Sequence, residues 1–367
     1  MSTLADQLVR QTREAELYRR LGGNRVECFA CGHRCPIPAG FAGVCKVRFN
    51  REGKLWAPYG YVNAAYCDPI EKKPFFHALP GSRALSFGML GCDLHCGYCQ
   101  NWVSSQALRD VSARLDFQPA EPRELVRLAR QFGAAAVVST YNEPLITAEW
   151  AVAVFREAKA GGLVTGFVSN GNATPEVLAY IRPWVDLYKV DLKSFDDRRY
   201  RELGARIGPV LDSIRRIHEM GFWLEIVTLV IPGFNDSDAE LSAIAGFLAE
   251  ISPDIPWHVT AFHKDYKMTG PDDTSPETLL RAAELGRAAG LHYVYAGNLP
   301  GEIGRLEDTR CPGCGQAVIE RRGFRVLLNC LSIDGKCPAC GTAIPGVWGA
   351  PPRPREQGAG LLHLRCG

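Results

Sequence analysis

ALSFGMLGCDLHCGYCQNW, Ala84 to Trp102, runs from a short apolar segment straight into a loop that holds three cysteines within eight residues. ALSFGML has the length and near-continuous hydrophobicity of a strand buried on both faces. Six more such runs follow: AAAVVST, LVTGFVSN, DLYKVDLK, WLEIVTLVI, WHVTAFH and HYVYAG. Between them lie stretches of helical period, Glu121 to Phe132, Thr147 to Ala160, Pro175 to Arg182, Val210 to Met220, Asp236 to Glu250 and Pro276 to Ala289. Several of these open with a Thr, Ser or Asp cap or an early Pro, as helices do. The alternation predicts a parallel sheet covered by helices, either a whole or partial β/α barrel or an open doubly wound sheet, and the partial barrel is favoured. In a barrel, functional groups collect where the strands end, and the polar residues of this chain gather there.

Cys92, Cys96 and Cys99 form C-x3-C-x2-C. A structural zinc site is normally closed by four protein ligands, and a typical cubane by four cysteines. A three-thiolate loop therefore leaves one iron of a cubane open, and a zinc loop completed by His95 or a distant residue is the alternative. With Tyr98 before the last cysteine, the loop resembles the C-x3-C-x-aromatic-C signature of the radical S-adenosylmethionine (SAM) superfamily. The resemblance implies a [4Fe-4S] cluster whose open iron is chelated by the amine and carboxylate of SAM. It implies reductive cleavage of SAM to a 5′-deoxyadenosyl radical that abstracts hydrogen from a substrate. The fold it implies is a partial (β/α)6 TIM-like barrel of the radical SAM type.

Tyr141, Asn142, Glu143 and Pro144 follow the second run and are similar to the superfamily's Gly-Gly-Glu motif, with Tyr and Asn in place of the glycines. The resemblance gives Glu143 the SAM ammonium, whereas a helix cap is the plain reading. Ser169, Asn170 and Gly171 end the third run, and Asp191, Leu192 and Lys193 the fourth. Both are similar to segments of pyruvate formate-lyase activating enzymes, in which the Lys contacts the SAM carboxylate and the Asp and nearby polar groups line the same pocket. An Asp and a Lys two apart on a strand share one face; a surface ion pair is the alternative. VIPGFND, Val230 to Asp236, is similar to the family's glycine-containing turn near the adenine, and His263 takes the place of a His that contacts SAM. The implied SAM residues are thus Tyr98, Asn142, Glu143, Ser169, Asn170, Asp191, Lys193 and His263.

Fourteen cysteines in a chain of 367 residues suggest metal ligands rather than a disulfide scaffold. Cys311 and Cys314 (CPGC) and Cys337 and Cys340 (CPAC) make two knuckles 22 residues apart, a zinc-ribbon or rubredoxin-like pattern for which zinc is favoured. A module of roughly 40 residues would draw folding energy from that metal. Cys330 between the knuckles reads as a buried spare. Cys28, Cys31, Cys35 and Cys45 make a third set, for which structural zinc and an auxiliary iron–sulfur cluster both fit, zinc being preferred. Cys67 and Cys366 stand alone.

The resulting organisation is an N-terminal helix and Cys-rich module over 1–80, the barrel over 81–305, the zinc-ribbon module over 306–348 and a Pro- and Gly-rich tail without fixed structure over 349–367. A net charge of +2 from 42 basic and 40 acidic residues gives no nucleic-acid or membrane footprint. The first twenty residues read as an amphipathic surface helix, no run suits a secretory signal or a membrane span, and the expected compartment is the cytoplasm. The order of parts, from the N-terminal cysteines through DPIEKKPFFH (Asp68 to His77), GCDLHCGYCQNW, TYNEP and HVTAFHKDYKM to the paired knuckles, is similar over nearly the whole chain to the radical SAM enzymes of the AmmeMemoRadiSam system. That resemblance implies AMMECR1-type and Memo-type partners and an electron donor such as flavodoxin or ferredoxin, and it leaves the substrate unnamed. DPIEKKP could present Lys72 or Lys73 to the pocket, but a solvated basic turn is the preferred reading. Two other functions compete: a glycyl-radical-enzyme activase, and a non-catalytic metal-binding interaction protein.

Overall fold

The computed structural model describes residues 4–110, 112–113 and 116–349. Residues 350–367, most of the tail, and with them Cys366, lie outside the described residues.

Each of the seven apolar runs forms a strand: β2 (Arg83–Gly88), β3 (Ala134–Ser139), β4 (Val164–Ser169), β5 (Leu187–Asp191), β6 (Trp223–Val230), β7 (Trp257–Ala261) and β8 (Val294–Gly297). All seven are parallel to their neighbours. The sheet also takes in β1 (Ala64–Pro69), upstream of the expected barrel start, which pairs antiparallel with β2 from Ala64 opposite Gly88 to Pro69 opposite Arg83. Strand order is β8-β7-β6-β5-β4-β3-β2-β1. Because β8 and β1 do not pair, the barrel stays open, a radical SAM-type α/β fold with six crossovers.

The crossover helices are α1 (Pro122–Gln131), α2 (Ala148–Ala160), α3 (Pro175–Ile181), α4 (Asp197–Glu202), α5 (Ile207–Glu219), α6 (Asp238–Ile251) and α7 (Pro276–Ala288). Their starts are set locally. Thr174 and Ser275 accept from the N–H groups of Val177 and Thr278, with Pro175 and Pro276 in the first turn, where a missing N–H costs nothing. Aromatic rings fix the packing of sheet on helix, as in the chain Phe87–Phe155–Phe167–Tyr188. At the N-terminal ends of the strands, Ile70, Phe75, Ala84, Ala136, Val138 and Leu187 form a separate buried cluster. Ile70 and Phe75 come from the segment joining β1 to β2, which is pinned there by Glu225 accepting from the N–H groups of Phe76 (3.0 Å) and His77 (2.9 Å).

The N-terminal helix is short, Leu4–Arg10, because Thr12–Glu14 is already paired with Lys54–Pro58. Small hairpins make up the rest of that region, and it is clamped to α2 by a buried, two-pronged ion pair, Arg48 Nη1 and Nη2 to Glu149 at 2.8 and 2.6 Å. Glu149 also accepts from the N–H of Glu16. The C-terminal module, a three-stranded sheet of Thr309–Arg310, Ala317–Arg322 and Arg325–Asn329, sits at the opposite end of the barrel from the Cys92 loop. Arg321 donates to Phe76 O (2.7 Å) and lies 3.8 Å from Glu71, just past β1, while Thr309 Oγ1 hydrogen-bonds Tyr295 of β8 (2.8 Å). The module therefore bridges the two free edges of the sheet, and its core is shared: Val318, Ile319 and Ile344 pack with Phe76, Tyr293 and Tyr295. Cys330 is only partly covered rather than buried, since the rim of this small sheet faces solvent.

Candidate active site

Strand β2 ends at Gly88, and the chain turns through Gly91 into the cysteine loop. Gly91 has φ +95°, and a Cβ there would stand 2.8 Å from Val47 and 3.2 Å from Cys45 O, so both conformation and space demand glycine. Cys96 is buried and Cys92 and Cys99 partly so. Donors point at the sulfurs: Leu94 N lies 3.4 Å and Asn170 Nδ2 3.9 Å from Cys92 Sγ, and Ser105 Oγ lies 3.2 Å from Cys99 Sγ. Such a setting suits thiolate ligands. The segment after β7 folds over the loop. Lys267 and Met268 donate their N–H groups to Gly97 O (2.9 and 3.0 Å), Tyr266 stacks on Trp102 at 5.0 Å, and His263 Nε2 meets Gln100 Nε2 at 2.9 Å. A cleft of about 350 Å³ opens alongside, lined by Tyr98, Ile231, Phe234 and Met268 among others, so the VIPGFND turn faces the cysteine loop.

The ends of β3, β4 and β5 bring the remaining sequence-predicted residues to the same place. Glu143 is buried, and its carboxylate accepts from Ser169 Oγ (2.7 Å), Asn170 N (2.7 Å) and Leu145 N (3.1 Å), so it caps the following turn and also faces β4. Burial, and secondarily Asp93, push its carboxyl up to about 8. Asn142 is buried too, with its side chain turned back to accept from Met89 N (2.9 Å), an anchor between β2 and β3 rather than an open donor. Asp191 lies 3.7 Å from Lys193 and is ion-paired with Lys189. Burial raises the Asp191 carboxyl, yet the two lysines together outweigh it and hold it below the ordinary range. Lys193 Nζ stands 6.0 Å over the Tyr98 ring.

Asp93 and Lys189 were not singled out from sequence, and Lys73 was given a different setting. Asp93 is fully buried and joins the parts, accepting from Asn170 Nδ2 (2.7 Å) and Asn172 Nδ2 (2.8 Å), while its carbonyl meets His33 Nε2 at 3.1 Å. Lys189 faces Asp191 from inside the sheet. Lys73 is not part of a solvated turn: it is buried, 3.2 Å from Asp68 and donating to Tyr141 OH at 2.9 Å, and burial lowers it to about 8 despite Asp68. Lys72 alone reaches solvent. Tyr141 itself has φ +71°, the left-handed region that favours glycine. A non-glycine residue there costs about 1–2 kcal/mol, offset by the Lys73 contact and by edge packing on Tyr66 at 5.7 Å. No short-range signal marks this pairing, because Lys73 lies 68 residues from Tyr141.

The family model for the radical SAM superfamily matches residues 88–243. An uncharacterized protein of Methanocaldococcus jannaschii is 35% identical over 335 residues, 90% of this chain and 98% of that protein. This chain belongs to the radical SAM superfamily. The isethionate sulfite-lyase activating enzyme of Nitratidesulfovibrio vulgaris is 30% identical over 126 residues, 34% of this chain and 40% of its own. The pyruvate formate-lyase-activating enzyme of Staphylococcus epidermidis is 24% identical over 200 residues, 50% of this chain and 78% of its own. Radical SAM membership implies an enzyme with a [4Fe-4S] cluster and SAM, and the three thiols of the loop, Cys92 and Cys99 flanked by donors, fit such a cluster.

The other two cysteine groups differ from each other. Cys311 and Cys337 each open a turn of the same form, with Gly315 N donating to Cys311 O (2.8 Å) and Gly341 N to Cys337 O (2.9 Å). The turns face each other, with Cys311 Sγ 3.5 Å from Cys340 Sγ and Cys314 Sγ 3.7 Å from Cys337 Sγ. Among the described residues, this is the one group of three or more His, Cys, Asp or Glu side chains whose ligand atoms all lie within 4.8 Å of one another. It has the spacing of a single four-coordinate ion. No helix among the described residues is long and apolar enough to cross a membrane.

Proposed function

We propose that this radical SAM protein cleaves SAM reductively and uses the product to abstract hydrogen from a substrate, with Cys92, Cys96 and Cys99 holding the cluster. The observation that supports this reading best is convergence: Glu143, Ser169, Asn170, Asp191 and Lys193, from three strand ends, surround a loop offering three cysteines and no fourth. When bound, cluster and SAM together supply a 5′-deoxyadenosyl radical. The chain's own residues bind and orient. Glu143 Oε1 already accepts twice, whereas Oε2 accepts once, so one lone pair of Oε2 is left for an N–H of the SAM amine. Lys193 offers a carboxylate its charge beside Tyr98, Asp191 fixes that lysine, and His263 together with the Ile231 to Phe234 turn borders the space for the adenosyl group. Asn142 supports the site by holding β2 against β3. Cys311, Cys314, Cys337 and Cys340 hold zinc on this reading, and a flavodoxin- or ferredoxin-type donor supplies the electron. Membership of the AmmeMemoRadiSam system, with AMMECR1-type and Memo-type partners, belongs to the same proposal.

The activase reading is second. The named activases among the relatives favour it. Against it stands the C-terminal module, which packs on Phe76, Tyr293 and Tyr295 and adds metal-binding bulk beside the open side of the barrel, where a large partner would dock. The test is anaerobic. The reconstituted protein with dithionite and SAM should yield 5′-deoxyadenosine by mass spectrometry, and Cys96→Ala should not. Absence of product with cluster present and SAM bound would count against the proposal and in favour of a binding protein.

A further inference from the structure

We infer that Cys28, Cys31, Cys35 and Cys45 hold a second, polynuclear iron–sulfur cluster rather than a single zinc ion. The four cysteines are brought together by backbone pairing. Cys28 N donates to Cys35 O (2.9 Å), a turn from Cys31 to Arg34 reverses the chain (3.1 Å), and the hairpin closed by Gly43 N to Arg48 O (2.8 Å) returns Cys45. Gly43 packs against this group so closely that a Cβ would lie 3.5 Å from Cys35 Sγ. Three of the four are buried, and none is in a disulfide.

The spacing of the sulfurs decides between the two kinds of centre. One tetrahedral ion with metal–sulfur bonds of about 2.3 Å keeps every sulfur about 3.8 Å from the others. The C-terminal set meets that condition, with contacts of 3.5 and 3.7 Å. In the N-terminal set no three sulfurs lie within 4.8 Å of one another. The same is true of Cys92, Cys96 and Cys99, the group suited to [4Fe-4S]. A multi-iron cluster attaches each cysteine to a different iron and so holds the sulfurs further apart. The N-terminal group thus shares with the central group a sulfur spacing wider than that of the zinc-like set. It also adjoins the central loop: Gly32 N donates to Asn172 O (2.8 Å), His33 Nε2 lies 3.1 Å from Asp93 O, and Cys45 O lies against Gly91.

The experiment uses the full chain, produced with added iron and isolated without oxygen. Iron, acid-labile sulfide and zinc are measured in the wild type and in Cys92→Ala/Cys96→Ala/Cys99→Ala. The variant is expected to keep iron and sulfide, roughly half the wild-type load if both centres are cubanes, and about one zinc per chain. A variant with no iron or sulfide and about two zinc ions per chain overturns the inference. Should the variant not fold, Mössbauer spectra of isotope-enriched wild type give the answer: two cluster environments, only one altered by SAM, support it, and a single environment that SAM alters throughout overturns it. Zinc at the N-terminal group with normal 5′-deoxyadenosine formation removes this inference alone. Iron there without SAM cleavage removes the proposed function alone.

Discussion

Replacing Glu143 by Gln tests the site at its most specific point. In the free protein the Glu143 carboxyl is buried among three donors and pushed up to about 8, chiefly by burial. At pH 7 it is mostly neutral, and a Gln of the same shape keeps the two bonds to Oε1 but turns an NH2 toward Asn170 N–H, at a cost of about 1–3 kcal/mol in stability. Accepting a charge-assisted hydrogen bond from an N–H of the SAM amine requires the ionised form. A charge-assisted hydrogen bond contributes about 1.5–3 kcal/mol, so Glu143→Gln should weaken SAM binding roughly 10- to 100-fold at pH 8.5, at about 1.4 kcal/mol per tenfold. The sign with pH follows. Below about 8 the wild type must release a proton on binding SAM, so its affinity should rise roughly tenfold per pH unit between 6 and 8 and then level off. The variant should lack this contribution, so its slope should be shallower by about one proton. Isothermal titration of the cluster-loaded proteins, made anaerobically across that range, measures both. Equal affinity of the two proteins at pH 8.5, or a wild-type affinity flat from pH 6 to 9, would refute the reasoning.

Three further outcomes are expected. Glu149→Gln strands the buried Arg48 charge and should cost about 3–5 kcal/mol in urea unfolding, a large part of a typical stability of about 5–15 kcal/mol, with Arg48→Met/Glu149→Leu recovering most of it; a double variant as weak as the single one would contradict this. Burial lowers His77 from 6.5 to about 4, with Tyr295 OH and Pro345 O on its two ring nitrogens. The unfolded chain therefore takes up a proton that the folded one refuses between those values, and stability should fall by on the order of 3 kcal/mol as pH drops from 6.5 to 4. Urea midpoints of wild type and His77→Asn at pH 7, 6 and 5 check whether that slope belongs to His77. Removing metal from Cys311, Cys314, Cys337 and Cys340 with a chelator should expose 309–348 to protease before the barrel; mass spectrometry finding the first cuts elsewhere would count against the module's dependence on metal.

Most of what is local in this protein was legible in its residues. Seven apolar runs became seven parallel strands, and the six predicted helical segments lie over α1, α2, α3, α5, α6 and α7, because strand and helix periods are written in adjacent side chains and in caps such as Thr174 and Ser275. The central cysteine loop and the two knuckles were readable for the same reason: ligand spacing is a short-range property. The first helix was overextended, since pairing of Thr12–Glu14 with a strand some 40 residues away won over helical propensity. Only the tertiary structure could show that Lys73 is buried on Tyr141 and Asp68, that Asp93 ties the N-terminal cysteines to the central loop, and that the C-terminal module bridges β1 and β8. Each of those facts depends on contacts between segments far apart in the chain, where the free energy of a side chain is set by what folding brings beside it and not by its neighbours in sequence.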